Sequence, residues 1–408
     1  MAKERYLTAR QAADELGISL ATLYAYVSRG LIRSEATGGD TRTRRYRLED
    51  VQKLKQRKEQ QRNPGKVAES ALHWGTPVME SALTLIADGR LFYRGYDAIK
   101  LATTHTVEQV AALIWSGELP AASSSAPDMT GAALSSRCAA ITKQLSDVPA
   151  VEAFQVLLPL AAADDLAAYD LRPAAVMQTG GRILRLLTAI AAREQTLSAG
   201  IAQSLQRSLA PDDPRAVALL DAALILCADH ELNVSAFTAR CVASAGSTPY
   251  AVVIAGLSAL QGVKHGGHSA RVEALLREAG IPAGVRLALA QRLKRGEQIP
   301  GFGHPLYPDG DPRGAALLRL TTAAYPDSPA VALSQAMVAQ VQSLIGEHPT
   351  IDFGLATLAA ALGLPAGSAL MLFALGRTIG WIGHAIEQDQ LDRMIRPRAR
   401  YIGAPPSE

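Results

Sequence analysis

Apolar residues recur at helical spacing along most of the chain after residue 68. Side chains three and four positions apart share one face of a helix, whereas a half-buried strand alternates apolar and polar positions. Convincing alternation is confined to a short run near residues 91–94. The clearest helical runs, rich in Ala and Leu, are residues 107–116, 151–163, 174–193, 214–228 and 368–382. The pattern therefore predicts a mostly α-helical body.

The first 60 residues follow a different pattern. Thr8 precedes a helical run that stops at Gly17, and Ser19 precedes a second run that stops at Gly30. Each run thus has an N-cap residue at its start and a glycine at its end. The short link between them has the spacing of a helix-turn-helix. The elements predicted next are a strand at Leu31 and Ile32, a turn at residues 38–40, a basic strand at residues 42–47 and a charged helix at residues 48–62.

This order of elements, with the stretches ARQAADELGIS, RGLI and RRYRLEDVQKL, resembles the MerR-like winged-helix DNA-binding domain over residues 5–55. The resemblance implies that the second helix enters the major groove of double-stranded DNA, while the wing contacts phosphates. The side chains implied are Thr22, Tyr24, Tyr26 and Arg29 on the helix and Arg42, Arg44 and Arg45 on the wing. The alternative is a head that only docks or dimerises.

Charge separates this head from the rest of the chain. Residues 1–66 contain 15 Lys and Arg against 8 Asp and Glu, whereas the other 342 residues contain 26 against 30. Residues 61–67, around Asn63-Pro64-Gly65, are polar and predict a linker. A basic domain at residues 1–60 joined to a mildly acidic body indicates two functions in one chain.

Export and membrane insertion are not expected. The N-terminal segment lacks the apolar run of a signal peptide. Residues 241–263 and 353–376 are long enough to cross a membrane, but polar, Pro or Gly residues interrupt both. The three cysteines form no CxxC pair and lie in apolar surroundings. We therefore expect a soluble cytoplasmic protein with reduced thiols.

His265 and His268 flank two glycines in the stretch GVKHGGHSA. The glycines disfavour a helix that would share one ion between the two rings, and no Cys or carboxylate follows closely to complete a shell. We expect no metal and no resident cofactor. An imidazole at the start of the predicted helix 269–279 would have a lowered pKa, so His265 would stay neutral and could donate a hydrogen bond to a carbonyl.

Further polar motifs interrupt the apolar body in a fixed order: YRGY, DHELNVSAFTARCVAS, GVKHGG, GFGHPLY with DPR, IDF, LFALGRTIGWIGHAIEQ and MIRPRARYIG. Together they resemble the citrate synthase family across residues 72–403. The resemblance implies a mostly α, two-domain body preceded by the winged helix-turn-helix. The large helical domain would comprise residues 68–267 and 356–408, and the small one residues 268–355. It also implies a homodimer with shared active sites.

The resemblance assigns an acyltransferase reaction, of the kind found in the tricarboxylic acid cycle. Acetyl-CoA would condense with oxaloacetate, and hydrolysis of citryl-CoA would release citrate and CoA. Asp352 matches the base, His265 the donor to the thioester oxygen and His304 the residue that polarises the acceptor carbonyl. The substrate-binding residues implied are His230, Arg313, Arg377 and Arg396, the last reaching in from the partner subunit. Guanidinium groups suit carboxylates geometrically.

The sequence departs from the family pattern next to two of these residues. His268 and Ser269 stand where the family usually reads Ala-Asn, and Thr350 and Gly354 replace its Asn and Ser. A 2-methylcitrate synthase that uses propionyl-CoA is one alternative. Another is a transcription regulator whose body senses oxaloacetate, citrate or CoA esters without turnover. For single residues, Asp352 could be a helix N-cap, and Arg396 and Arg398 could be surface charges.

Overall fold

The structure is a computed structural model that describes residues 6–29, 31–36, 44–48, 50–51, 54, 79–120, 131–132 and 134–404. It divides into two compact units, Met1–Glu80 and Ser81–Glu408. The predicted linker at residues 61–67 lies outside the described residues. The division of the body into a large and a small domain stays a prediction, because the body clusters as one unit.

The head contains two helices and a small antiparallel sheet. The helices are α1 (Ala9–Leu16) and α2 (Leu20–Ser28), and the strands are β1 (Tyr6–Thr8), β2 (Ser34–Ala36) and β3 (Arg44–Arg47), in the order β1-β3-β2. Thr8 and Gln11 form a capping box, and Ser19 caps α2. Gly17 ends α1 at φ 58°, a left-handed conformation that glycine adopts without strain. The predicted helix-turn-helix is confirmed, with its caps at Thr8 and Ser19 and its stop at Gly17, whereas Gly30 lies outside the described residues.

The strands of the head differ from the prediction. β2 begins at Ser34, not at Leu31, because the Ile32 side chain is taken into the head's core beside Leu23 and Tyr46. β1 was not predicted, since three residues are too few to show a periodic pattern. The residues at 48, 50, 51 and 54 are helical, in agreement with the predicted charged helix. The rest of that helix, the turn at 38–40 and Arg42 lie outside the described residues.

The body is mostly helical, as predicted. Its helices are α3 (Ala98–Thr104), α4 (Val107–Ser116), α5 (Ser136–Thr142), α6 (Ala150–Asp164), α7 (Pro173–Ala192), α8 (Ile201–Leu209), α9 (Ala216–Cys227), α10 (Val234–Ala243), α11 (Pro249–Leu260), α12 (His268–Ala279), α13 (Val285–Lys294), α14 (Pro312–Ala324), α15 (Pro329–Ile345), α16 (Ile351–Ala361) and α17 (Ser368–Leu391). Its short strands are β4 (Thr84–Ala87), β5 (Arg90–Tyr93), β6 (Tyr96–Asp97), β7 (Gly131–Ala132) and β8 (Thr196–Leu197). The strand predicted near residues 91–94 is β5.

The core of the body is organised around α17. This helix packs against α4, α7, α9, α10, α11, α12 and α16. Glycines allow the closest approaches: a Cβ at Gly376 would lie 2.5 Å from the Leu224 carbonyl, and one at Gly380 would lie 2.4 Å from that of Ala228. By length and hydropathy α17 could cross a membrane, but 94% of its most apolar window is buried inside the body. It is the helix on which the site described below is assembled.

The end of α9 is held in place by hydrogen bonds from two other elements. The Tyr93 hydroxyl, on β5, donates to the Ile225 carbonyl at 2.9 Å. The Gly380 N–H, on α17, donates to the Ala228 carbonyl at 2.9 Å. Because both anchors are buried, the Asp229-His230 pair that follows α9 has a fixed position against α17.

Candidate active site

His265 lies in a tight turn between α11 and α12. Its N–H donates to the Gly262 carbonyl at 2.8 Å, and the Gly267 N–H donates to the Leu260 carbonyl at 3.0 Å. The turn needs glycines, because a Cβ at Gly267 would lie 2.4 Å from the Gln261 carbonyl oxygen. The prediction of a tight glycine turn is confirmed, and the helix after it begins at His268.

The pKa of His265 is lowered to about 3, as a neutral imidazole requires. The main cause is burial, to which the charges of Arg377 and Arg313 add. The predicted direction is therefore confirmed, but the predicted cause, the helix N-terminus, is replaced by burial and neighbouring guanidinium groups. The ring stays neutral at neutral pH and can still donate one hydrogen bond.

Ser235, on α10, fixes one side of the His265 ring. Its Oγ lies 2.8 Å from His265 Nε2 and 2.9 Å from Asn233 Oδ1. The indole Nε1–H of Trp381, which can only donate, points to the same Oγ at 3.3 Å. The Ser235 hydroxyl has a single proton: donated to Asn233 Oδ1, it leaves the proton of the neutral His265 ring on Nε2, and donated to Nε2, it places that ring proton on Nδ1. A hydroxyl on α10 is thus coupled to the tautomer of a ring on the α11–α12 turn.

His304 and His230 form a second pair of imidazoles. Their ring centroids are 5.3 Å apart in an edge-on arrangement, and His230 Nε2 lies 2.9 Å from the Tyr307 hydroxyl. The Leu306 N–H donates to His304 Nδ1 at 3.2 Å, which places the proton of a neutral His304 on Nε2. Burial and then Arg313 lower the pKa of His304 to about 4, against the opposing charge of Asp311. His304 is therefore a neutral donor through Nε2.

Asp352 lies in the first turn of α16, and Thr350 is the N-cap residue. The alternative that Asp352 caps this helix is therefore wrong. Its Oδ1 accepts a 2.5 Å hydrogen bond from the Ser269 hydroxyl on α12. Burial raises the pKa of Asp352, while Ser269, His268 and Arg313 act in the opposite direction. A half-buried carboxylate with a raised pKa is a stronger base than an exposed one.

Arg313 is buried at the start of α14 and is already paired within the chain. Its Nε donates to Asp311 Oδ1 at 3.0 Å and its Nη2 donates to Asp311 Oδ2 at 2.8 Å. Asp311 occupies two of its five N–H donors, and the predicted role of Arg313 in holding a substrate carboxylate stays a prediction. Arg313 nevertheless affects every nearby site group, since its charge lowers the pKa values of His230, His265, His304 and Asp352.

Arg377, on α17, is buried at 1% exposure and is incompletely paired. Its Nε donates to the Cys227 carbonyl at 2.7 Å. Its Nη1 and Nη2 find no hydrogen-bond partner among the described residues. The guanidinium lies 4.9 Å from the centre of the Phe373 ring, whose edge-on neighbour is His265 at 6.0 Å. Four N–H donors of one cation are thus unsatisfied beside His265.

The structure brings most of the predicted residues together. His230, His265, His304, Arg313, Arg377 and Asp352 are joined by ring contacts and mutual charge effects. Arg396 is not part of this cluster within one chain, because it lies on the exposed tail after α17. The tail is anchored nearby, since the Ile395 N–H donates to Ser244 Oγ at 3.0 Å. A role for Arg396 in a partner's site stays a prediction.

Sequence reasoning missed several residues of the site. Ser235, Tyr307 and Trp381 were within the quoted motifs but received no role. Ser269 was noted only as a departure from the family pattern. The signal that could have found them is chemical: each is a hydrogen-bonding side chain in an apolar segment, and buried polar groups need partners. Within the described part of the chain, no group of three or more His, Cys, Asp or Glu side chains is placed to hold a metal.

The head presents some, not all, of the predicted DNA-facing residues. Tyr24, Arg29, Arg44 and Arg45 are exposed. Tyr26 is half-buried against the head's core, so its predicted exposure is wrong. Thr22 is half-buried, and its hydroxyl and N–H both bond to Ser19 Oγ, at 2.9 and 3.2 Å. These two residues serve the fold of the head, because α2 needs its cap and its packed face.

Comparison with known proteins identifies both parts. A family model described as citrate synthase, C-terminal domain, matches residues 71–398, and one described as helix-turn-helix domain matches residues 6–59. Citrate synthase from Haloferax volcanii is 32% identical, and 2-methylcitrate synthase from Shewanella oneidensis 30%; each match covers 81% of this chain and 94% of the relative. Putative citrate synthase 2 from Mycobacterium tuberculosis is 35% identical, but the match spans only 53% of its length and 48% of this chain.

Solved structures agree on the fold. The crystal structure of citrate synthase from Thermotoga maritima superposes with a TM-score of 0.70 at 26% identity, covering 82% of this chain and 96% of that one. The fold and the clustered histidines, arginines and carboxylates define the class: a mostly helical protein with the citrate synthase architecture. Since the family model matches most of the chain, this protein belongs to the citrate synthase family, with a helix-turn-helix domain at its N-terminus.

Proposed function

We propose that the body is an acyltransferase that condenses acetyl-CoA with oxaloacetate and hydrolyses the resulting citryl-CoA to citrate and CoA. The observation that carries this proposal is the buried guanidinium of Arg377, whose Nη1 and Nη2 have no partner in the described chain. Leaving charged donors unsatisfied in a protein interior is costly, so such donors indicate an anionic ligand. A carboxylate accepts two parallel N–H bonds from a guanidinium, and oxaloacetate carries two carboxylates.

Each step of the reaction has a residue suited to it. The Asp352 carboxylate removes a proton from the methyl carbon of acetyl-CoA, and a neutral His265 donates a proton to the thioester oxygen, giving the enol. The enol carbon attacks the keto carbon of oxaloacetate while His304 donates its Nε2 proton to the keto oxygen, and the enol O–H returns its proton to His265 as the thioester carbonyl re-forms. Water then attacks the thioester carbon of citryl-CoA, giving a proton to the deprotonated His304, while protonated Asp352 returns its proton to the departing CoA sulfur. Neutral imidazoles with lowered pKa values are established electrophiles for such carbonyl chemistry.

The test is thiol release from acetyl-CoA in the presence of oxaloacetate, with the full-length chain. Release that depends on both substrates supports the proposal. A higher kcat/KM with propionyl-CoA would instead favour a 2-methylcitrate synthase, the activity in the name of the Shewanella relative. The two acyl groups differ by one methylene, which a pocket distinguishes by about 1–3 kcal/mol. Binding of oxaloacetate without release from either thioester would favour the metabolite-sensing regulator.

A homodimer is part of this proposal. Arg396 is exposed on the tail of its own chain, and it reaches a substrate only if that tail enters a partner's site. Sedimentation of the native chain tests the assembly. Mixing an Arg396→Ala chain with an Asp352→Asn chain tests the sharing, because shared sites would restore part of the activity that each variant lacks alone.

We also propose that the head binds double-stranded DNA. The observation that favours it is the exposure of Arg44 and Arg45 on β3 together with Tyr24 and Arg29 on α2, in a unit matched by a helix-turn-helix family model. Exposed arginines on a wing suit phosphate oxygens, and binding of this kind weakens steeply with salt. The alternative, a docking or dimerisation head, requires no such salt dependence.

Replacing Arg45 with Ala should weaken DNA retention about equally for all sequences and reduce the slope of log affinity against log salt by about 1, because one phosphate contact is lost. Fluorescence anisotropy of a labelled duplex at several salt concentrations measures both quantities. Arg286→Ala, which removes an exposed charge from the body, is the matched control. An unchanged slope in Arg45→Ala, or equal retention after deletion of residues 1–62, would contradict DNA binding by this surface.

A further inference from the structure

His268 is the first residue of α12 and stands where the family pattern has a small apolar residue. Its Nε2 accepts a 2.9 Å hydrogen bond from the N–H of Gly301, 33 residues further along the chain. The next residue, Ser269, donates to Asp352 Oδ1 at 2.5 Å. Two adjacent side chains on one helix therefore bond two separate catalytic segments: the loop that leads to His304 and the first turn of α16.

The Gly301 loop has little freedom once this bond is made. Gly301 has φ +85°, and a Cβ there would lie 2.8 Å from Val272 Cγ2 on α12 and 3.1 Å from Phe353 Cβ on α16. The Gly301 carbonyl accepts the Thr350 N–H at 2.8 Å, directly before α16. The backbone at Gly301 is thus packed closely between α12, which carries His268, and α16, which carries Asp352.

The end of the loop is also tied to α16. The Gly303 N–H donates to the His348 carbonyl at 2.9 Å, and the Phe302 ring packs 4.8 Å from that of Phe353. Because these contacts join the loop to the segment before Asp352, a shift at Gly301 moves His304 and Asp352 relative to each other. The bond from Gly301 to His268 ties the loop to α12, the helix whose Ser269 also bonds Asp352.

We propose that His268 is a positioning residue of this chain, whose neutral Nε2 holds the Gly301 loop so that His304 and Asp352 face the same substrate. The kinetic consequence rests on the function proposed above, whereas the hydrogen bond does not. A protonated imidazole has no acceptor nitrogen, so protonation of His268 would release the Gly301 N–H. His268 therefore makes the geometry of the site dependent on pH.

The charges around His268 indicate its state at neutral pH. Burial is the largest influence and lowers the pKa of His268; the Asp352 carboxylate on α16 raises it and Arg271, on α12 itself, lowers it. The loop that Gly301 begins also includes His304, whose own pKa is lowered to about 4. With a pKa below 6.5, His268 is neutral at pH 7 and accepts the Gly301 bond; it loses that ability only on acidification.

Two substitutions test separately the two properties of His268: its role as a hydrogen-bond acceptor and its titration with pH. His268→Gln keeps an acceptor oxygen at about the reach of Nε2 but does not titrate, and His268→Ala removes the acceptor. His105→Ala, at a half-buried histidine bonded to Thr104, is the control. In His268→Ala we expect kcat at pH 8 to fall roughly tenfold with KM for oxaloacetate unchanged, since a lost positioning bond misaligns the reacting groups. In His268→Gln we expect wild-type kcat at pH 8 and a larger retained fraction of it at pH 5.

Hydrogen–deuterium exchange at the Gly301 amide gives a readout that needs no activity. At pH 8 the amide should be protected in wild type, His105→Ala and His268→Gln, and exchange about tenfold faster in His268→Ala. Equal exchange in His268→Ala and wild type would overturn the proposal, as would an unchanged kcat in that variant. If the wild type releases no thiol, the proposed function fails, and the exchange rates alone still decide whether His268 holds the loop.

Discussion

Replacing Asp352 with Asn is expected to lower kcat for thiol release by roughly 10²- to 10⁴-fold, the usual contribution of a general base. The side chain lies in the first turn of α16 and its Oδ1 accepts a bond from Ser269. An Asn oxygen can accept the same bond, so the fold of the site should persist while the basic oxygen is lost. KM for oxaloacetate should change little, because Asp352 is assigned to acetyl-CoA.

The pH profile gives a second test of Asp352. The base must be ionised to work, and burial raises its pKa above the ordinary 3.8. Activity should therefore fall with decreasing pH through a value higher than 3.8. In the His268→Gln background, which removes the titration of that ring, this limb should be absent from any residual activity of the Asn variant. Asp327→Asn, at an exposed carboxylate in the turn between α14 and α15, is the matched control. Wild-type kcat in Asp352→Asn, in protein with an unchanged circular dichroism spectrum, would contradict the proposed mechanism.

Replacing Arg377 with Met is expected to raise KM for oxaloacetate by about 100-fold or more. Two charge-assisted hydrogen bonds to a carboxylate would be lost, each worth about 1.5–3 kcal/mol. Arg319→Met, an exposed arginine on α14, controls for the change of charge. Initial rates at several oxaloacetate concentrations measure the effect. An unchanged KM would show that the carboxylate binds elsewhere.

The stability of the same variant distinguishes a ligand-binding arginine from a structural one. In the wild type the buried Nη1 and Nη2 are unsatisfied, and a methionine of similar length removes that cost. We therefore expect Arg377→Met to unfold at the wild-type temperature or above it. Oxaloacetate should raise the unfolding temperature of the wild type and leave that of the variant unchanged, because a ligand stabilises only the state that binds it. A structural arginine would instead give a variant that unfolds earlier.

Much of the local structure could be predicted from neighbouring residues. The caps at Thr8 and Ser19 and the stop at Gly17 are where the sequence places them, because these signals act over three or four residues. The helical runs of the body begin and end within a few residues of the prediction, except that the last helix continues to Leu391, nine residues beyond the predicted end at 382. The prediction of a strand at Leu31 and Ile32 was wrong for a tertiary reason. Ile32 packs into the core of the head, and the strand begins only at Ser34.

The motif residues of the site were also predictable, but their pairing was not. His265, His304 and Asp352 were chosen for their chemistry and their resemblance to a family. The partners that set their states are distant in sequence: Ser235 is 30 residues from His265, and Ser269 is 83 residues from Asp352. A one-dimensional pattern contains no distance between such segments, so the tautomer of His265 and the raised pKa of Asp352 could not be derived from it.

By itself, the sequence determined that the body is helical, that a helix-turn-helix precedes it, and that histidines, arginines and one carboxylate interrupt an apolar core. Those properties follow from periodicity and caps, which depend on residues a few positions apart, and from the cost of burying charge, which applies to any charged residue in an apolar segment. Only the tertiary structure decided that Arg313 pairs with Asp311 and that the Gly301 N–H donates to His268. It also decided that Nη1 and Nη2 of Arg377 are buried without a hydrogen-bond partner among the described residues. Hydrogen bonds depend on distances of a few tenths of an ångström, and the packing of α12, α14, α16 and α17 sets those distances.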